Sequence, residues 1–186
     1  TYERANNRIY VANYYDGTVS VINPDTRKVV KTIPVGENPL GVIYDPKNGL
    51  VYVANENSGS ISLIDRTNNV IGSIVWNSNL GPLHFAIDSK NGYLFVTLHY
   101  STYVAAFNSS NYFLGYISVG CGPHDMTYDP SNNLLYETNE CDNTVSVINP
   151  ESGAQVSIIP VGSTPYGLGY DPSHQTVLVS NTGDNT

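Results

Sequence analysis

Short runs of β-branched and aromatic residues follow one another along the whole chain, and turn-forming Gly, Pro, Asn, Asp and Ser separate them. This pattern is typical of β-strands joined by tight turns. No window sustains apolar residues at the helical spacing, and Gly or Pro interrupts the chain about every ten residues. The pattern therefore predicts an all-β protein.

The runs also repeat in a fixed order. Strings related to Tyr-Val-Ala-Asn begin at residues 10, 52, 95, 136 and 178, at intervals of 42, 43, 41 and 42 residues. The sequence Thr-Val-Ser-Val-Ile-Asn-Pro of residues 18–24 returns unchanged at 144–150. Such a fixed period constrains the architecture more strongly than any single motif.

Each repeat contains four predicted strands. In the second repeat these lie around residues 41–44, 50–54, 60–64 and 70–75, and the Asp-Pro-Lys-Asn-Gly turn of residues 45–49 joins the first two. A period of 40 to 45 residues with four strands matches the blade of a β-propeller. We therefore expect a propeller of four-stranded antiparallel blades, with about four and a half repeats present.

The blade boundaries follow from the same register. We expect an incomplete blade of three strands at 1–36, full blades at 37–78, 79–120 and 121–162, and an incomplete blade of two strands at 163–186. A closed ring usually completes its last blade with strands from both ends of the chain. Here both incomplete blades contain a second strand, so closing a ring of four blades would leave one strand without a place. This count predicts that the chain is part of a larger ring.

The Tyr-Val-Ala-Asn strings, the Thr-Val-Ser-Val-Ile-Asn-Pro segments and the Ile-Pro-Val-Gly ends resemble the YVTN family of β-propeller repeats over essentially the whole chain. The resemblance implies a seven-bladed ring in a surface-layer-like or cell-surface protein. The third repeat departs from the pattern, since Leu98 replaces the Asn and Trp76-Asn77-Ser78 stands where Pro-Val-Gly is expected. We expect a binding feature or a loosened blade there.

Composition narrows the possible partners. The chain has 16 acidic and 8 basic residues and a formal net charge of −8, which disfavours nucleic acid. No apolar run approaches the roughly 18 to 20 residues of a membrane-spanning helix. The expected partner is a protein or glycan bound at the rim of the ring, with self-association as a further expectation.

Cys121 and Cys141 are the only cysteines. If Asp129 lies opposite Asn133 in the intervening hairpin, the two cysteines also lie opposite each other. Opposed thiols in a chain with no other cysteine predict a disulfide and an oxidising, extracellular compartment. The alternative is a pair of free, buried thiols.

Two histidines occupy positions at which the other repeats have Gly, Leu or other residues. His84 and His124 begin the first strands of neighbouring blades, and Asp125 follows His124. The histidines differ by one position in the repeat, so simple alternation would direct them to opposite faces. We treat these three residues as ligand-binding candidates, with hydrogen bonding between blades as the alternative; His99 and His174 are expected to be solvated.

Two more ligand-binding candidates come from the neighbouring strands. Glu137 replaces a Val of the second strand, where it is either a buried acid or an edge-facing one. Tyr166 belongs to a group of rim tyrosines that suit stacking on sugars or peptides, although packing between blades also explains them. The group comprises Tyr14, Tyr15, Tyr100, Tyr103 and Tyr166. Asn108, in an Asn-Ser-Ser sequence, is a candidate glycosylation site.

Other polar residues recur once per blade and indicate a role in the fold. Asp45, Asp129 and Asp171 each precede a Pro and begin a turn, where Asp bonds its own downstream backbone. The recurring strand-end residues Asn13, Asn55, Asn139 and Asn181 indicate a structural role for the same reason.

The sequence contains no nucleophile elbow, zinc-protease motif, phosphate-binding Gly loop or CxxC pair. We therefore assign no catalytic residue, metal or cofactor, and predict a non-enzymatic cell-surface or secreted interaction module. The alternative is a propeller enzyme of the lactonase or metal-dependent hydrolase type, with its site at the channel mouth.

Overall fold

The computed structural model describes residues 1–76 and 80–186. The described chain consists of 18 β-strands and one turn of 3-10 helix at Tyr14–Asp16. No helix in these two ranges is long and apolar enough to cross a membrane. Asn77 and Ser78, part of the expected departure in the third repeat, lie outside the described residues.

The strands form five antiparallel sheets, four with four strands and one with two. The first sheet contains β1 (Tyr2–Glu3), β2 (Arg8–Asn13), β3 (Thr18–Asn23) and β4 (Lys28–Pro34). The second contains β5 (Pro39–Asp45), β6 (Leu50–Asn55), β7 (Ser60–Ile64) and β8 (Val70–Val75). The third contains β9 (Pro82–Asp88), β10 (Tyr93–Leu98), β11 (Tyr103–Phe107) and β12 (Phe113–Ser118). The fourth contains β13 (Pro123–Asp129), β14 (Leu134–Asn139), β15 (Thr144–Asn149) and β16 (Ala154–Pro160), and the fifth contains β17 (Pro165–Asp171) and β18 (Thr176–Asn181).

In each four-stranded sheet, sequential strands are neighbours, so each repeat forms one up-and-down sheet as the sequence predicted. The first sheet corrects one expectation: it has four strands rather than three, because Tyr2 and Glu3 pair with Ile9 and Arg8. A two-residue strand carries no alternation that the sequence pattern can reveal.

The recurring Asp residues make the expected turns. One Asp45 carboxylate oxygen accepts a hydrogen bond from the Lys47 amide, and Asp129 and Asp171 accept equivalent bonds from the amides two residues later. Gly49 closes the turn at a φ of 75°, a conformation that Gly adopts without strain.

The recurring Asn residues link the second and third strands of their sheets. Asn55 donates to the hydroxyls of Ser60 and Ser62, and Asn139 makes the corresponding bonds to Thr144 and Ser146. Asn55 and Asn139 are both fully buried. Buried polar groups need such partners, so these residues serve the fold.

The chain divides into two compact units, residues 1–83 and 84–186. In the first, a core cluster joins the first two sheets and includes Tyr10, Val19 and Val53. In the second, a separate cluster joins the third and fourth sheets and includes Phe95 and Leu135. Each fully buried large apolar side chain contributes about 1.5–3 kcal/mol, so these clusters are the main source of stability.

Irregular pairing recurs at matching places in the sheets. In the fourth sheet the register shifts once between β13 and β14, between Pro123 and Met126, and once between β15 and β16. The second sheet has the same two shifts. Such β-bulges bend a strand locally, and the bulge of the fourth sheet lies beside His124.

Candidate functional site

Three histidines of the second unit lie together. His84 is on β9, His99 follows β10, and His124 is on β13. The His124 ring centre lies 5.6 Å from that of His84 and 5.7 Å from that of His99. We call His84, His99 and His124 the histidine cluster.

The expectation that His84 and His124 point to opposite faces of their strands is compatible with their proximity, because they lie on neighbouring sheets and opposite faces of neighbouring sheets are turned toward each other. The β-bulge between Pro123 and Met126 lies beside His124, and it recurs at the same place in the second and fifth sheets.

His99 was missed by the sequence reasoning, which placed it in solvent. Its Nδ1 atom is buried and has no hydrogen-bond partner, and its ring packs edge-on against Tyr100 with ring centres 5.1 Å apart. His174 is exposed, as expected, and contacts Asp171. A loop position one residue beyond a strand gives no burial signal in the sequence.

Asp125 connects the cluster to the next strands. One carboxylate oxygen accepts a hydrogen bond from the Leu168 amide at 2.8 Å, and the other accepts one from the Met126 amide. The latter oxygen also lies 3.9 Å from His84 Nδ1, beyond hydrogen-bond distance. Asp125 is therefore held in place by backbone amides and acts on His84 through its charge.

Tyr166 covers the His124 ring. The two ring centres lie 3.6 Å apart at an angle of 37°. His124 is 4% exposed whereas Tyr166 is 46% exposed, so the tyrosine presents one side of the pair to solvent. The structure thus brings together four of the sequence candidates, His84, His124, Asp125 and Tyr166.

Glu137, on β14, is fully buried, which decides between the two options that the sequence left open. Neither carboxyl oxygen has a hydrogen-bond partner within normal geometry. Burial raises its pKa well above the usual range, and the nearby Ser146 hydroxyl and His124 backbone only partly oppose this effect. Glu137 is therefore a buried acid close to the His124 backbone.

Burial also determines the protonation of the histidines. It lowers the pKa of His124 to about 4, helped by the neighbouring His84 and His99. Burial lowers the pKa of His84 as well, although the Asp125 charge acts against it. Both imidazoles are thus neutral at pH 7, and neutral imidazole nitrogens can accept protons or bind metals.

Hydroxyl groups fix the backbone of the site. Thr97 Oγ1 accepts a hydrogen bond from the His84 amide and donates one to the His124 carbonyl at 2.9 Å. Thr138 repeats this arrangement, accepting from the Asp125 amide and donating to the Tyr166 carbonyl. Each threonine therefore joins its own sheet to the first strand of the next one.

An open cleft of about 740 Å³ lies beside the cluster in the second unit. The lining residues come from the loop of residues 99–102, from Cys121 and Gly122, from Glu140, Cys141 and Asn143, and from Ser163 and Thr164. Tyr100 is half exposed within this loop. The lining is mainly hydroxyl, amide, carboxylate and aromatic groups, and His99 belongs to both the cleft and the cluster.

The two cysteines lie opposite each other, but they are free, exposed thiols, so the predicted disulfide is not formed and the alternative of buried thiols is also wrong. The Cys141 amide donates to the Cys121 carbonyl at 3.2 Å. Hydrogen bonding from Cys121 raises the pKa of the Cys141 thiol to about 11. Asp129 pairs with Leu134 and not with Asn133 as expected, but the register shift between Pro123 and Met126 restores the opposition of the two cysteines.

Asn108 sits in a turn between β11 and β12. Its side-chain oxygen accepts hydrogen bonds from the amides of Ser110 and Tyr112. The residue thus has a structural contact in this turn, and its glycosylation stays a prediction. In residues 1–76 and 80–186, no three His, Cys, Asp or Glu side chains are arranged to hold a metal ion.

No protein-family model matches this chain, and no curated protein matches it by sequence. Solved structures with similar folds exist. Hydrazine synthase of Kuenenia stuttgartiensis aligns with a TM-score of 0.85 and 18% identity over 93% of this chain and 52% of its own. A catalytically inactive virginiamycin B lyase of Staphylococcus aureus, solved with quinupristin, aligns with a TM-score of 0.81 and 14% identity over 96% and 61%.

A putative 6-phosphogluconolactonase of Bacteroides uniformis aligns with a TM-score of 0.81 and 17% identity over 98% of this chain and 63% of its own. The chain thus spans between half and two thirds of the length of these three structures. Identities this low show the fold alone. The structural similarity and the repeated four-stranded sheets together identify the chain as an all-β protein of the β-propeller fold, with about four and a half blades present.

Proposed function

We propose that the protein is a non-enzymatic, extracellular propeller module of the YVTN type that binds glycans through the open cleft of the second unit. The observation that carries the proposal is the lining of this cleft. Exposed Tyr100 offers a ring face, and Glu140 and Asn143 offer a carboxylate and an amide beside it. Sugars present both apolar ring faces and hydroxyl groups, and specific sites combine apolar contacts with a few placed polar groups.

The position of the cleft on loops supports the same proposal. Its walls come from connections that precede or follow β10, β13, β14 and β17. Binding residues are often carried by loops on a rigid scaffold, and here the sheets beneath are fixed by buried Asn and Thr hydrogen bonds.

Binding to an array of soluble oligosaccharides tests this function. We expect at least one class of oligosaccharide to bind and Tyr100→Ala to weaken its binding at least tenfold. Tyr15→Ala is the matched control, because Tyr15 is 93% exposed and belongs to the first unit. Absence of binding across the array, or equal loss in both variants, would overturn the proposal.

Self-association is the second part of the proposed module. The outer strands β8 and β16 carry no charged residue and expose Ile71, Val75 and Ile158. Uncharged, apolar edge strands favour pairing with other chains. We expect concentration-dependent association by light scattering, reduced by Ile158→Lys and unchanged by Glu151→Lys; a monomer at all concentrations would contradict this.

A second candidate function is the propeller enzyme of the lactonase or metal-dependent hydrolase type. The convergence of His84, His124 and Asp125 favours it, because hydrolysis needs several polar groups around one point. Hydrolysis of δ-valerolactone by the purified chain tests it. We expect His84→Ala to lower the rate at least tenfold and His174→Ala to leave it unchanged; no turnover by the unaltered chain would exclude this candidate for simple lactones.

A further inference from the structure

We propose that a pocket in the first unit binds an acidic sugar, meaning a saccharide ring that carries a carboxylate or a phosphate group. The pocket has a volume of about 610 Å³ and lies between turns of the first and second sheets. We call it the arginine pocket. Its lining residues are Tyr2, Arg4, Ala5, Tyr44, Pro46 and Arg66. The inference does not depend on glycan binding in the cleft of the second unit, because the two sites share no residue.

Both arginines depart from the repeat. Arg4 directly follows β1 and begins a turn, and three other repeats have Pro there: Pro46, Pro130 and Pro172. Arg66 follows Asp65, whose carboxylate accepts the amide of the turn, and two other repeats have Pro after the equivalent Asn: Pro24 and Pro150. The third repeat has Ser at both positions. Pro suits such turns because its φ is fixed, so the fold alone does not explain the two arginines.

The charges of the facing turns differ between the two units. In the second unit, Lys90 in the first turn of the third sheet pairs with Glu151 in the last turn of the fourth sheet at 2.5 Å. In the first unit the corresponding turns carry Arg4 and Arg66, and no acidic residue lines the pocket. Across residues 1–76 and 80–186, neither guanidinium takes part in an ion pair. Two cations in one pocket without a counter-charge favour an anionic ligand.

The surrounding turns position Arg66. The Asn6 side-chain amide donates to the Arg66 carbonyl at 2.8 Å and so joins the first sheet to the second. The guanidinium lies against Gly49, where an added Cβ would come within 2.8 Å of the Arg66 Cζ. The missing side chain of Gly49 thus makes room for the planar group. A guanidinium placed in this way can bind a carboxylate or phosphate through two parallel hydrogen bonds.

Two tyrosines give the arginine pocket an aromatic wall. Tyr2 is half exposed, and its hydroxyl donates to Asn7 Oδ1 at 3.0 Å, whereas Tyr44 packs partly against the core of the first unit. Tyr also occurs at this position in the fourth and fifth repeats, so it is the arginines that distinguish the pocket. A tyrosine ring combines an apolar face with a polar tip, which suits a sugar ring. The volume of the pocket lies within the usual range for small-ligand sites.

The distribution of charge along the chain supports an anionic ligand. Seven of the eight basic residues lie in the first unit and balance its seven acidic residues, whereas the second unit has nine acidic residues and one basic residue. Six of those seven lie in, or directly after, the turns at the pocket end of the first two sheets: Arg4, Arg8, Arg27, Lys28, Lys47 and Arg66. The same end has four acidic residues: Glu3, Asp25, Asp45 and Asp65. This end of the first unit is therefore locally basic, and salt screens more distant charges beyond about 8 Å.

Titration with three sugars that differ only at carbon 6 tests the pocket: glucuronate, glucose 6-phosphate and glucose. The amide signals of the isotope-labelled whole chain, followed by NMR at neutral pH and about 0.15 M salt, report affinity and location together. We expect at least one of the acidic sugars to shift the signals of Ala5 and Gly49 saturably, whereas glucose leaves them unchanged. The acidic sugar that binds more tightly identifies the anionic group.

Variants separate the arginine pocket from the general charge of this end. Arg66→Pro restores the residue of the repeat, and we expect it and Arg4→Gln each to weaken binding at least about tenfold, because each removes charge-assisted hydrogen bonds. Arg27→Gln is the matched control, since Arg27 is exposed in a turn at the same end but does not line the pocket; its effect should stay below about twofold. The dispersion of the amide signals without sugar checks that each variant is folded.

Three results would overturn the proposal: no saturable shift with either acidic sugar, shifts that centre on Gly122 of the cleft instead of Gly49, or equal weakening by Arg27→Gln and Arg66→Pro. Absence of sugar binding, together with self-association that Arg66→Pro abolishes, would assign the pocket to the acidic second unit of another copy. None of these results decides the oligosaccharide experiment on the cleft, because that experiment tests Tyr100.

Discussion

The second sheet, β5–β8, and the fourth sheet, β13–β16, have the same strand order and the same two register shifts, yet their residues differ at one end. Near that end, apolar residues or Gly of the second sheet correspond to polar residues of the fourth at four positions: Leu40 and His124, Gly41 and Asp125, Val53 and Glu137, and Ala54 and Thr138. The Asn that ends each second strand is unchanged, as is the Asp that begins each first turn. One blade thus shows what the fold requires, and the other shows which positions can be given to a site.

The largest expected effect comes from carrying the acid of the fourth sheet into the second. Val53 is fully buried in the apolar core of the first unit. Val53→Glu places an unpaired carboxyl there and is expected to cost about 3–5 kcal/mol of unfolding free energy. Urea unfolding at pH 7 measures this loss of unfolding free energy. The variant Val53→Gln is the control that separates the effect of charge from that of polarity. A loss below about 1 kcal/mol for Val53→Glu would show that the two sheets tolerate a buried acid equally.

The residues that both sheets share should cost similar amounts when they are removed. Asn55→Ala and Asn139→Ala each leave buried hydroxyls without a donor and should lower the unfolding free energy by about 2 kcal/mol. Asn132→Ala, at an exposed turn of the fourth sheet, is the control and should cost much less. A cost confined to one sheet would show that the recurring Asn has no common structural role.

The reverse exchange should stabilise the fourth sheet. Glu137→Val restores the residue type of the second sheet and should raise the unfolding free energy by about 1–2 kcal/mol at pH 7. Because the pKa of Glu137 is raised in the folded state, its ionisation reduces stability as the pH rises above the unfolded value. The gain should therefore be smaller at pH 4, and an equal gain at both pH values would contradict the buried acid.

The smallest effect at pH 7 is expected for His124→Leu, which copies Leu40. The pKa of His124 falls from 6.5 to about 4 on folding, so the unfolded chain binds the proton first. The contribution of His124 to the unfolding free energy is then fully present above pH 6.5 and decreases toward pH 4, by up to about 1.4 kcal/mol per pH unit.

The ionisation of Glu137 changes the unfolding free energy with pH in the opposite direction. The slope of unfolding free energy against pH is therefore best measured by urea unfolding in the Glu137→Val background. His124→Leu should reduce this slope, because the lowered pKa of His84 contributes in the same direction, whereas His174→Ala should retain all of it. A slope that is unchanged without His124 would assign the titration to other groups.

The repeat made most of the fold predictable. Strings such as Tyr-Val-Ala-Asn located the second strands, and Asp-Pro located the first turns, because both come from local backbone chemistry. The two-residue strand Tyr2–Glu3 was not predicted, because only its pairing with β2 defines it as a strand.

The site was less predictable because its geometry depends on contacts between sheets. The departures from the repeat identified His84, His124, Asp125 and Tyr166, but the repeat alone could not show that neighbouring sheets bring the rings of the first two together. His99 occupies a loop with no periodic pattern. The cysteines were placed opposite each other, yet whether opposed thiols bond depends on oxidation, which no spacing encodes.

The threonine hydrogen bonds have a consequence for how such a chain can change its length. Thr97 and Thr138 each serve their own first strand and then the carbonyl at the same position of the following repeat. The third repeat thus brings the donor for the fourth, and the fourth brings the donor for the fifth, whereas the second repeat has Ala54 at this position. A copy of the third or fourth repeat duplicated by recombination would rejoin matching ends, so these repeats can multiply without redesign of the junctions on either side.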